Sequence, residues 1–183
     1  YNMVPDYAKA TILVKNNQDE IVELYKAFMN QYELEHGNHI ENGALVLEVK
    51  GVSAHGMEPK NGKNAGLFLA EFLCKLSLDA KASHYFQFVS RYFFEDSRGV
   101  NLGVAYEDAI SGDLTINPGK FSYNAESGGR VGMTCRYPVT NNMETTTQTK
   151  PQNGEYRYTP QQIDWETMSN LGLSKERLEK MNL

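Results

Sequence analysis

His55 is the side chain best placed to do chemistry. It stands in Val52-Ser53-Ala54-His55-Gly56-Met57, directly after the most strand-like run of the chain and before a glycine-rich turn. A polar group held at the mouth of a strand is where sites tend to be built. Arg136 is the second candidate. It lies in mid-strand and alternates with Val131, Met133 and Cys135, so it points away from their apolar face. It reads either as an exposed strand arginine or as a carboxylate clamp, since a guanidinium offers two parallel donors to a carboxylate. His36 and His39 form an H-x-x-H pair beside Glu41. On a helix that spacing can hold zinc. Gly37 and Asn38 break a helix there, so the pair is expected in a solvated turn. His84, in an aromatic helix, is expected at a helix start or in the core. Cys74 and Cys135 sit in apolar contexts and read as free buried thiols.

Several common sites are missing. Gly128, Gly129 and Gly132 are too loosely spaced for a dinucleotide fingerprint and suit a hairpin better. Neither Gly62-Lys63 nor Gly119-Lys120 has phosphate-loop spacing, and no G-x-S-x-G elbow occurs.

The elements that would position these residues can be read from periodicity. Residues 8–15 are strand-like. Asn17 and Glu20 have capping-box spacing, and Ile21, Tyr25, Phe28 and Tyr32 recur at helical intervals, which predicts a helix over 18–34 ended by His36-Gly37-Asn38. Residues 44–50 form the clearest strand. Residues 51–64 carry three glycines and a proline and read as loop. Helices are expected over 65–78 and 84–95. Residues 102–110 are ambiguous. Strands 113–123 and 129–139 read as a hairpin, with Pro138 at its far end. Thr140 to Asn153 is polar and predicts a linker. Ile163, Trp165 and Met168, then Leu178 and Met181, mark two short helices. The expected architecture is α+β: two small strand–helix layers over residues 1–140, a linker over 141–157 and a helical appendage over 158–183.

Composition bounds the function. The 183 residues carry a formal net charge of −5, with 40% hydrophobic and 22% charged side chains. A broad nucleic-acid-binding face is disfavoured. No apolar run approaches the ~20 residues that span a bilayer, so no membrane association is expected. Two cysteines imply no disulfide framework, and a reducing, cytoplasmic setting is the default expectation. The chain opens on Tyr1 and closes on Met181-Asn182-Leu183, and is expected to be part of a longer protein.

Three motifs carry a resemblance. Asn2-Met3-Val4-Pro5-Asp6 is the first. Gly51-Val52-Ser53-Ala54-His55-Gly56, with Pro59 and Gly62-Lys63-Asn64-Ala65, is the second. The third is Gly112-Asp113-Leu114-Thr115-Ile116-Asn117-Pro118-Gly119, followed by Gly128-Gly129 and Arg136-Tyr137-Pro138-Val139. In this order, over residues 1–140, they resemble the lid of M20 metallopeptidases of the bacterial dipeptidase V type. The resemblance implies a clamshell enzyme whose catalytic domain binds two zinc ions while the lid closes over a dipeptide. It implies that His55 polarises the scissile carbonyl and stabilises the oxyanion, that Arg136 grips the substrate's C-terminal carboxylate, and that Asn2 faces substrate.

One departure limits what this chain does. The family's catalytic domain needs an H-x-D metal motif and a Glu-Glu pair, and the sequence contains neither. The chain is therefore expected to bind no zinc, to be inactive alone, and to require an M20 catalytic domain as partner. Residues 158–183, with Ile163-Asp164-Trp165 and Leu171-Gly172-Leu173-Ser174, resemble the opening of a domain of unknown function from Bacteroidetes mobile elements, so a fusion is one reading. The alternative function is a non-catalytic interaction module built on a lid scaffold. The flanking sequence of the parent gene discriminates the two.

Overall fold

The computed structural model describes residues 2–141. The linker and helical appendage expected over 141–157 and 158–183 lie, from residue 142 on, outside the described residues. The order of elements is β1 (Tyr7–Ile12), α1 (Gln18–Gln31), β2 (Glu35–Glu41), β3 (Ala44–Lys50), a 3-10 turn (Pro59–Asn61), α2 (Ala65–Leu73), α3 (Ala80–Phe93), β4 (Glu107–Asp108), β5 (Gly112–Asp113), β6 (Thr115–Asn124) and β7 (Gly128–Arg136). The fold is α+β, as the sequence predicts.

The first layer is an antiparallel sheet in the order β1-β3-β2. Leu45, Leu47 and Val49 of β3 face helices α1 and α2 and pack against Tyr25, Met29, Leu69, Phe72 and Leu73. The second layer is the β6–β7 hairpin. Its inner residues Ile116, Val131, Met133 and Cys135 meet Tyr85, Phe88, Val89 and Phe93 of α3. Helix α2 serves both cores: Leu69, Phe72 and Leu73 enter the first, while Leu67 and Ala70 enter the second. Each such Leu or Phe contributes about 1.5–3 kcal/mol by leaving water, so α2 is the spine that joins the layers.

Several expectations shift. The predicted stop at His36-Gly37-Asn38 is instead the middle of β2, paired with β3 from Glu35↔Lys50 to Glu41↔Ala44. The turn between them is Asn42-Gly43, with φ of 51° and 78°. Two left-handed residues suit a two-residue hairpin turn. Helix α1 stops at Gln31, and Glu33 turns the chain with φ 53°. The side chain of Asn17 makes no capping hydrogen bond, because Asn17 itself is left-handed at φ 63°. Helix α3 begins at Ala80, four residues before the expected start. Asp79 caps it by accepting from the Lys81 and Ala82 amides at 3.0 Å each. His84 is consequently in the second turn and exposed rather than in the core. Strand β7 ends at Arg136, which makes that residue the strand's last and not a mid-strand one. Cys135 is buried and Cys74 half-buried, and neither forms a disulfide among the described residues. Among the described residues no helix is long and apolar enough to cross a membrane.

Candidate functional site

The loop after β3 is a pair of short backbone ribbons. In one, Val52 and Lys63 exchange amide–carbonyl bonds of 2.9 and 2.8 Å. A side chain at Gly51 would place its Cβ 1.9 Å from the Lys63 carbonyl oxygen, so glycine is required there. In the other, Met3 bridges His55 in antiparallel fashion. The Val4 amide donates to Ala54 O at 2.8 Å and the Gly56 amide to Asn2 O at 2.6 Å. Two separate motifs of the sequence thus meet through main-chain bonds. Strand alternation puts the Met3 and His55 side chains on one side of this ribbon, and Asn2 and Gly56 on the other.

The ribbon rests on the hairpin. Asn117, fully buried on β6, donates its Nδ2 to Met3 O at 3.0 Å. Gly56 faces that amide, and a Cβ there would lie 3.1 Å from Asn117 Nδ2 and 3.1 Å from Asn2 O. The Asn2 side of the ribbon is therefore the side turned to the hairpin. Asn64 adds a second tie. Its Oδ1 caps α2 by accepting from the Leu67 amide, and its Nδ2 donates to Pro118 O at 2.8 Å. Arg98 adds a third, with Glu58 at 3.6 Å and Asp113 at 3.1 Å. The Arg98 loop is itself set by the buried Asp96 carboxylate, which accepts from the amides of Arg98, Gly99 and Asn101 at 2.7–3.0 Å.

Arg136 lies on this same outer face of the hairpin. Its cross-strand partner is Thr115, and Asn117 pairs with Thr134 one step along. Arg136 is half-buried, and its Nε is enclosed without a hydrogen-bond partner among the described residues. The hydroxyl of Thr115, a residue only 4% exposed, is in the same condition beside it. Two unsatisfied polar groups side by side cost free energy unless a ligand engages them. Sequence reading missed Thr115 and Asn117 as site residues. The sequence places both as polar residues on the face opposite Ile116, and the structure shows that both are buried.

His55 is exposed. The Met57 amide donates to its Nδ1 at 3.2 Å, so the neutral ring carries its proton on Nε2, which is left free to donate. Asn2 is also exposed. The structure joins the Asn2 and His55 segments through backbone bonds, with the Asn2 side of the ribbon turned to the hairpin that carries Arg136 and the His55 side chain on the other side. It does not join the three side chains by any hydrogen bond.

Among the described residues no three His, Cys, Asp or Glu side chains converge as a metal site. His36 and His39 fall on opposite faces of β2. His36 hydrogen-bonds Leu34 O at 2.8 Å and packs edge-on against Tyr25, whereas His39 lies 3.6 Å from Glu48 on the outer face.

Known proteins share this sequence in two separate stretches. A "putative dipeptidase" of Staphylococcus epidermidis is 43% identical over 138 residues, which is 75% of this chain and 29% of that protein. Proteins of the same description from Staphylococcus saprophyticus and Staphylococcus aureus are 39% and 40% identical over the same shares. The chain thus spans about 29% of the length of the curated relatives it matches. Residues 158–183 match a family described as protein of unknown function (DUF4099).

Proposed function

We propose that residues 2–141 are the substrate-clamping lid of a metallodipeptidase. The observation that carries the reading is the enclosed, unpartnered Arg136 Nε beside the equally unpartnered Thr115 hydroxyl, on the hairpin face that Asn117 ties to the His55 ribbon. The similarity to part of the staphylococcal dipeptidases supports it. In this reading Arg136 and Thr115 hold the C-terminal carboxylate of a dipeptide. Asn2, at the ribbon's edge, meets the peptide backbone. The Nε2 proton of His55 is donated to the scissile carbonyl oxygen and binds more strongly as negative charge develops on it. Zinc and the water-activating glutamate belong to a separate catalytic domain of the M20 type.

The test is to graft residues 2–141 in place of the matching segment of the Staphylococcus epidermidis relative and assay dipeptide hydrolysis. His55→Ala should lower kcat on the order of 10²–10³, the usual cost of an oxyanion donor, with KM less changed. A kcat within about twofold of the parent, far short of that cost, removes His55 from the reaction and leaves a likeness of fold only.

A further inference from the structure

The position of Asn117 has a consequence for how such a clamp keeps its spacing. The scissile carbonyl and the terminal carboxylate of a dipeptide are separated by one residue, about 3.5 Å of extended chain. Groups that grip both ends must hold their own separation to well under that length, because misplacement by about 1 Å can cost 10²-fold in rate. Yet His55 and Arg136 belong to different layers, and no hydrogen bond joins them.

We propose that Asn117 is the positioning residue that fixes the His55 ribbon against the Arg136 anchor. The proposal rests on the clamp reading of the site. Three observations support it. The Asn117 amide is fully buried and donates to Met3 O, the carbonyl of the residue bridged to His55. Asn117 and Arg136 are diagonal neighbours on one face of the hairpin, a relation that spans roughly 7–8 Å between backbones. Gly56 leaves the ribbon bare at this point, and a methyl group there would press on both Asn117 Nδ2 and Asn2 O at 3.1 Å. An amide at this position therefore reads the ribbon's height above the hairpin directly. The other ties reach the loop further along, at Glu58 and Asn64. Asn117 holds the bridge itself.

The experiment uses the full chain, isotopically labelled, and follows the imidazole resonances of all four histidines and the Nε–H of Arg136 by NMR. Asn117→Asp keeps the shape but sets an oxygen against Met3 O. Gly56→Ala keeps Asn117 and forces the ribbon off it by a few tenths of an ångström, the adjustment a 3.1 Å contact demands, so the fold survives even if the first variant is lost. Both His55 and Arg136 resonances should move in each folded variant, while His36 and His39, in the sheet layer, stay in place. A loss confined to melting temperature, with His55 and Arg136 unmoved in folded Gly56→Ala, overturns the proposal. Titration with glycylglycine separates the two ideas. If it leaves the His55 and Arg136 signals of the unmodified chain unchanged, the clamp reading is weakened and the positioning result stands on its own.

Discussion

Arg136 offers the sharpest quantitative test of the site. Its guanidinium forms no ion pair among the described residues, and its Nε is enclosed without a partner. Removing it should therefore cost the fold little, because no internal charge is left unpaired. Its worth should appear only when a carboxylate arrives. A hydrogen bond to a charged group contributes about 1.5–3 kcal/mol, and about 1.4 kcal/mol is tenfold in affinity. Arg136→Ala in the grafted enzyme should then raise KM by roughly 10-fold to 150-fold. The carboxylate is charged in both the bound substrate and the transition state, so kcat should hardly change. Lysine should rescue poorly, since it lacks the planar fork. The assay compares a dipeptide with its C-terminal amide on the parent and on Arg136→Ala. The parent should discriminate strongly against the amide, and the variant should not, because the coupling between the two changes isolates this one contact. If KM stays within about twofold, or if the variant still rejects the amide, Arg136 does not hold the carboxylate and the reasoning from its unpaired Nε is wrong.

The full chain should hydrolyse no dipeptide, and calorimetric titration should find no sub-micromolar zinc binding; turnover or stoichiometric binding at His36 and His39 would contradict the placement of those residues on opposite strand faces. Deleting residues 142–183 should preserve cooperative thermal unfolding, since every buried apolar side chain of the described residues lies between Val4 and Cys135; loss of a cooperative transition in calorimetry would show that the tail completes a core. Asp108 accepts from Ser111 and from both the amide and hydroxyl of Thr140, and these bonds, that of the Thr140 hydroxyl foremost, hold its carboxyl well below the usual range. A depressed folded pKa gives stability that is fully present above the ordinary carboxylate pKa and is lost progressively as pH falls from there through the lower folded value. Asp108→Asn should accordingly lower the melting temperature by a constant amount at pH above the ordinary carboxylate pKa, with the gap narrowing progressively as pH falls below it; a gap with no pH dependence into acid would show that the Thr140 tie does not depress the carboxyl.

Where local signals were strong, the sequence and structure agree. Residues 44–50 and the 128–136 arm of the hairpin show a strand pattern because their apolar faces are buried. The region around His36 misled for the converse reason. Strand β2 is an edge strand with mostly exposed side chains, its Gly37 stands opposite Glu48, and its place is set by pairing with β3 rather than by its own periodicity. The Asn42-Gly43 dipeptide was the available cue, since it is a strong hairpin-turn signal. Asp79 was likewise a cap in plain sight, overshadowed by the aromatic run that follows it. The site behaves differently again. His55, Asn2 and Arg136 could be singled out by motif, but their relation could not, because the bond that relates them joins Asn117 to Met3 across 114 positions of sequence. No window of residue types contains such a contact.

The chemical character of the candidate residues bears on what this part of the protein can do. The free Nε2–H of His55, the guanidinium of Arg136, the hydroxyl of Thr115 and the amide of Asn2 can each present a donor. Donors stabilise a carboxylate that is already charged and an oxygen that becomes charged, but none of these groups is suited to take a proton from water. Arg136 has no basic form at ordinary pH. His55 could act as a base only through Nε2, the nitrogen that the Met57 contact leaves protonated. In the proposed reading, such a set of donors would bind and polarise substrate, and an acceptor-rich partner would supply the nucleophile. On the proposed reading, that asymmetry would fit a segment that corresponds to 29% of the length of the staphylococcal relative it resembles: backbone ribbons that aim donors need no convergent acidic ligands, and a metal-bearing site would then lie on a separate body.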